Sequence, residues 1–183
     1  MLIRFIPLTA ALLLLAPLLA AGNAHAQNQP AKKPAEATKP EGPKSIGKFD
    51  DWTAATHKEA GQNVCYAFVK AQSSSPALPN RSGVVLTVTH RPSGRDAVAL
   101  EAGFTYAANA SVTVQVDQAG LEFYTAQRNA FARDGKAAVA AFNKGNRAIA
   151  RSPGPKDAIV TDTFSLKGFA GAYAAITKAC PAK

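Results

Sequence analysis

The chain has 183 residues, of which 47% are hydrophobic and 18% charged, and its 21 Lys and Arg outweigh its 12 Asp and Glu to give a net charge of +9. That length supports one domain with its own core and excludes a comfortable second one. The charge balance favours anionic partners.

Residues 1–26 read as a secretory signal peptide: Arg4 in a short basic start, an apolar run from Phe5 to Ala21, then small residues ending Ala24-His25-Ala26. The run is near the length a membrane anchor needs, but Pro7, Pro17 and the Ala-x-Ala ending point to cleavage before Gln27. Cleavage leaves 157 residues at about +8 with no integral membrane anchor. The expected location is therefore periplasmic or secreted.

Residues 27–45 carry four prolines, mixed charges and no large apolar side chain, so they are expected to be a disordered linker. After Ile46 short alternating runs punctuated by Gly, Pro, Asn and Asp predict a mainly β domain over 46–183. A first strand is expected from Phe49 to Ala55, carrying Trp52. A second runs from Val64 to Ala71, with Val64, Tyr66 and Phe68 on one face and Cys65, Ala67 and Val69 on the other.

Ser73 to Ser82 reads as loop, Gly83 to His90 as a central strand, and Asp96 to Glu101 as its return. Ser111 to Asp117 alternates cleanly, with Val112, Val114 and Val116 on one face. Leu121 to Thr125 pairs back on it after a tight connection at 117–120. Asp134 is placed to cap a short helix over 135–143, with Val139 and Phe142 as its buried stripe and Gly145 as its stop. Strands follow at Arg147–Ala150 and Ala158–Leu166. From 168 to 180 the period becomes helical, with Phe169, Ala172, Tyr173, Ile176 and Cys180 on one face.

Cys65 and Cys180 are the only cysteines. In an exported chain they are expected to form a disulfide. Two buried thiols are the alternative, and thiol counting under denaturing, non-reducing conditions separates the two.

No motif supplies a catalytic site. His57-Lys58-Glu59 has the H-x-E spacing of a zinc deaminase but lacks the paired thiolates that hold the metal, so no metal or cofactor is expected. Residues 42–49 nearly match a phosphate-binding loop, yet Phe49 stands where the magnesium-binding hydroxyl belongs. His90 ends a strand beside Arg91-Pro92, where a hydrogen-bonding role is commoner than a catalytic one. Asp50 and Asp51 point to opposite faces of a strand, and Trp52 reads as core.

Charge distribution is more informative. Residues 46–125 hold six basic and seven acidic side chains, whereas 126–183 hold ten and three. Arg128, Arg133, Lys136, Lys144, Arg147 and Arg151 crowd the short helix and its flanking strands. They are the candidate surface for an anionic envelope or host-surface component, with a merely solvated face as the alternative. Nucleic acid is disfavoured by export and by the lack of aromatics interleaved with these residues.

With these segments in place, the chain resembles the invasion-associated locus B family of exported bacterial proteins. The resemblance rests on I-G-K-F-D-D-W at 46–52, V-C-Y at 64–66, V-T-H-R-P at 88–92, F-A-R-D-G at 131–135 and D-T-F-S-L-K-G-F at 162–169, in order along the domain. It implies an immunoglobulin-like β-sandwich and a non-enzymatic protein acting by binding in envelope maintenance or host-cell interaction. Many members carry further cysteines in the region of Tyr124–Phe131, where this chain has none. A periplasmic chaperone offering a sheet edge to clients is the second reading, and an uncharacterised periplasmic hydrolase the third. Oligomeric state is not encoded in these patterns.

Overall fold

A computed structural model describes residues 42–81 and 83–182. The expected signal peptide at 1–26 and positions 27–41 of the expected linker lie outside the described residues. Among the described residues the chain forms eleven strands and two α-helices. The strands are β1 (Lys44–Phe49), β2 (Trp52–Glu59), β3 (Gln62–Lys70), β4 (Ser73–Ser75), β5 (Val85–Arg91), β6 (Gly94–Glu101), β7 (Ser111–Val116), β8 (Ala119–Ala126), β9 (Asn129–Ala132), β10 (Arg147–Pro153) and β11 (Ile159–Ser165). The helices are α1 (Gly135–Lys144) and α2 (Phe169–Ala179).

All strands join one antiparallel ribbon in the order β1-β2-β3-β5-β6-β9-β8-β7-β10-β11-β4. The ribbon folds over so that its inward faces meet in a single core, a β-sandwich whose two halves are joined where β6 passes its pairing from β5 to β9. A second join closes the other side. The Ala71 N–H donates to Val84 O at 2.9 Å and the Gln72 N–H to Thr163 O at 2.8 Å, so the chain that leaves β3 crosses over and pairs through β4 with β11.

Period-2 alternation decides which faces are buried. Cys65, Ala67 and Val69 point inward on β3 while Tyr66 and Phe68 are half-buried outside; Val112, Val114 and Val116 point inward on β7. On β10 Ala148, Ala150 and Ser152 are buried, and on β11 Val160, Asp162 and Phe164.

Two expectations about strands are corrected. The span 49–55 is not one strand: Phe49 pairs with Trp52 across a two-residue turn at Asp50-Asp51, and β1 begins at Lys44, inside the expected linker. Asp50 takes φ +46, a conformation its short polar side chain tolerates better than most. The Ser73–Ser82 loop contributes β4, and β9 forms after a turn in which Gln127 takes φ +55 without any glycine.

Both helices arise where the sequence places them. Asp134 caps α1 by accepting from the Ala137 N–H at 2.9 Å, and Ala138, Val139 and Phe142 form its buried face. On α2 the buried face is Phe169, Ala172 and Ile176. Phe169 packs edge-on against Trp52 at 4.8 Å and Phe142 at 5.5 Å between ring centroids, so both helices share one aromatic cluster. Trp52 is fully buried, and its indole N–H donates to Ser165 O at 3.0 Å. Gly168 opens α2 at φ +87, and a Cβ there would collide with the Phe49 carbonyl oxygen.

Candidate functional site

The six basic residues lie exposed on the second half of the sandwich. Arg147 and Arg151 project outward from β10 because the alternating small residues between and beyond them face the core. Arg151 stands opposite Thr113 of β7 and Thr161 of β11. Arg128 sits in the β8–β9 turn. Arg133 and Lys136 flank the start of α1, and Lys144 and Arg147 flank its end, about 15 Å away along the helix.

The set is thus a band spread over the β8–β9 turn, the two ends of α1 and the outer face of β10 rather than a single tight cluster. Arg133 leans over the Tyr124 ring at 5.8 Å and stands 3.9 Å from the Glu122 carboxylate, an exposed pair of little energetic weight. Tyr124 in turn stacks on Phe131 at 5.5 Å, giving this end of the band an aromatic floor. Strand pairing of β8 with β9 sets Tyr124 beside Phe131, two residues before Arg133.

Cys65 and Cys180 form a disulfide, with Cα atoms 6.0 Å apart across a sequence separation of 115. Around it the end of α2 is held by polar contacts. The Asp96 backbone N–H donates to His90 Nδ1 at 3.2 Å, which puts the ring proton on Nε2, 3.3 Å from Thr177 Oγ1. His90 and the Asp96 carboxylate, 3.8 Å apart, are therefore not an ion pair, since Nδ1 already accepts.

Burial and, next, the Arg95 charge hold the His90 pKa below its ordinary value, against a smaller opposing pull from Asp96. The Tyr173 hydroxyl donates to Asp96 Oδ1 at 2.7 Å; burial and that bond push its pKa up to about 12. Arg95 Nη1 donates to the Cys180 carbonyl at 2.5 Å. His90 is thus a fully buried structural residue that closes the helix onto β5.

His57, the other histidine weighed for chemistry, bonds Glu59 at 3.0 Å on the outer end of β2. Among the described residues no group of three or more His, Cys, Asp or Glu side chains is gathered as for a metal. The residues of the near phosphate-loop match form strand β1 from Lys44 onward.

The strongest polar cluster escaped sequence reasoning. Asp162 is fully buried on β11 and takes a two-pronged contact from Arg81, Nη1 at 2.8 Å and Nη2 at 2.7 Å, plus the Ser74 hydroxyl at 2.7 Å. Arg81 Nε donates to Ala102 O at 2.6 Å, and its guanidinium lies 5.1 Å from the Phe104 ring centre. The available signal was a carboxylate at an inward register between Val160 and Phe164, which has to find a cation or a set of donors.

The family profile described as invasion associated locus B (IalB) protein matches residues 52–177. A crystal structure of invasion associated protein b from Bartonella henselae has a TM-score of 0.55 to this chain at 19% identity, covering 73% of this chain and 95% of that one. At that identity the likeness speaks for the fold. No curated protein matches the chain.

Proposed function

The chain belongs to the invasion associated locus B family, and on that premise we propose that it is an exported envelope protein, periplasmic or secreted, that acts by binding rather than by catalysis. Its partner is an anionic envelope or host-surface component, held by the band of Arg128, Arg133, Lys136, Lys144, Arg147 and Arg151. The observation that carries this reading is the exposure of all six side chains, which lie in the stretch 126–183 where basic residues outnumber acidic ones ten to three. A surface of that sign raises the local concentration of anions and speeds their capture.

Affinity capture from envelope and host-cell extracts at low and high ionic strength tests it. Partners that elute as salt rises support the reading, and a set of partners indifferent to salt contradicts it.

The sheet-edge reading finds less support. Strand β1, at one end of the ribbon, carries Lys44 and Lys48 and a bulge between Ser45 and Gly47, devices that discourage strand addition.

A further inference from the structure

A second positively charged feature lies outside the basic band, and pairing rather than sequence proximity creates it. Because β3 pairs with β2 on one side and β5 on the other, the β2–β3 and β5–β6 hairpin ends stand next to each other. The disulfide brings the chain after α2 to the same place. Together they line an open cavity of about 640 Å³ whose lining includes Lys58, Asn63, Arg91, Ser93, Arg95 and Cys180.

Three of the lining residues are cations and none is acidic. Two carboxylates stand beside them: Glu59 accepts from Arg91 Nε at 3.1 Å and Nη2 at 3.3 Å and bonds His57, and Asp96, next to Arg95 in the chain, accepts from the Tyr173 hydroxyl. The Arg91 contact and then the His57 contact hold the Glu59 pKa below the usual carboxylate range. Arg95 is fixed in place by its bond to the Cys180 carbonyl, where it also offsets the negative end of α2. Set against both carboxylates, the three cations leave one positive charge.

We propose that this cavity binds a phosphate group. Arg95 offers the guanidinium donors its Cys180 bond leaves over and Arg91 its Nη1 beside the edge held by Glu59, while Lys58 adds a point charge and Asn63 and Ser93 supply neutral donors. The group could belong to a free phosphate compound or to a lipid headgroup, and the chemistry at the cavity is the same.

Amide NMR of the protein during titration with inorganic phosphate provides the test. The expected result is saturable shifts confined to residues 58–63, 91–95 and 179–182. Affinity should fall about tenfold in Lys58→Ala and in Arg91→Ala, and rise severalfold in Glu59→Gln, which frees Arg91. Arg133→Ala and Arg151→Ala should leave it unchanged, which separates this cavity from the basic band.

Phosphatidylcholine vesicles with and without phosphatidic acid identify the source. Lys58-dependent binding only to the phosphatidic acid vesicles assigns a lipid headgroup, and phosphate titration without vesicle binding assigns a soluble ligand. Absence of saturable shifts, shifts insensitive to Lys58→Ala and Arg91→Ala, or shifts that follow Arg133 and Arg151 would overturn the proposal.

Discussion

Cys180, one residue past the end of α2, is bonded to Cys65 on the inward face of β3, and the bond closes a loop of 115 positions that contains most of the described domain. The disulfide does not act alone, since His90 and Arg95 hold the same end of α2 and the Asp96–Tyr173 pair holds its middle. The helix in turn covers Trp52 through Phe169. Losing the covalent tie should therefore weaken a packed unit without erasing its packing.

Reduction, or the double substitution of Cys65 and Cys180 by serine, should lower unfolding free energy by about 4–5 kcal/mol in the chain-entropy account of a loop this long. Urea unfolding with and without reductant measures it, with the slope rising as the unfolded chain expands.

Arg81→Ala should cost about 3–5 kcal/mol, because it leaves the Asp162 carboxylate buried without its cation. Replacing both partners by apolar residues, as in Arg81→Met with Asp162→Leu, should recover a large share of that loss. A double-mutant cycle in urea measures the coupling, and equal losses in the single and double variants would contradict the assignment.

His90 gives a signed pH dependence. Its pKa is lower in the folded protein than in the unfolded chain, so the unfolded state binds more protons at mildly acidic pH. Stability should be full above about 6.5 and should decline as pH falls through the interval between the unfolded and folded pKa values. Thermal unfolding across that range reads the slope, and NMR titration of the His90 ring should show a pKa below the ordinary histidine value.

Gly168→Ala should destabilise by at least about 1–2 kcal/mol, because an alanine at positive φ is strained. Its Cβ would also meet the Phe49 carbonyl oxygen. Gly42→Ala, where nothing lies within reach of an added Cβ, is the matched control for thermal unfolding.

Much of the scaffold was legible because it obeys short-range rules. Alternation placed Val112, Val114 and Val116 inward, Asp134 announced α1, and a helical period put Phe169, Ala172 and Ile176 on one stripe. What escaped depends on distant pairing or on permissive turns. Asp50-Asp51 turned a hairpin inside a span that read as one strand, and Gln127 turned the chain where no glycine marked a turn.

Arg81 and Asp162 are 81 positions apart, and Lys58, Arg91 and Arg95 come together only once β3 is known to pair with both β2 and β5. The basic composition of the final third was plain from the sequence. Its division into the two ends of α1, the β8–β9 turn and the outer face of β10 needed the fold.

The central claim is that the basic band binds an anionic partner. Its most direct test is the affinity of the protein for vesicles containing phosphatidylglycerol as salt is raised, compared with a variant in which Arg128, Arg133, Lys136, Lys144, Arg147 and Arg151 are replaced by glutamine. The account predicts binding that weakens steeply with salt and is largely lost in the variant even at low salt. Binding unchanged by salt, or retained in the variant, would contradict it.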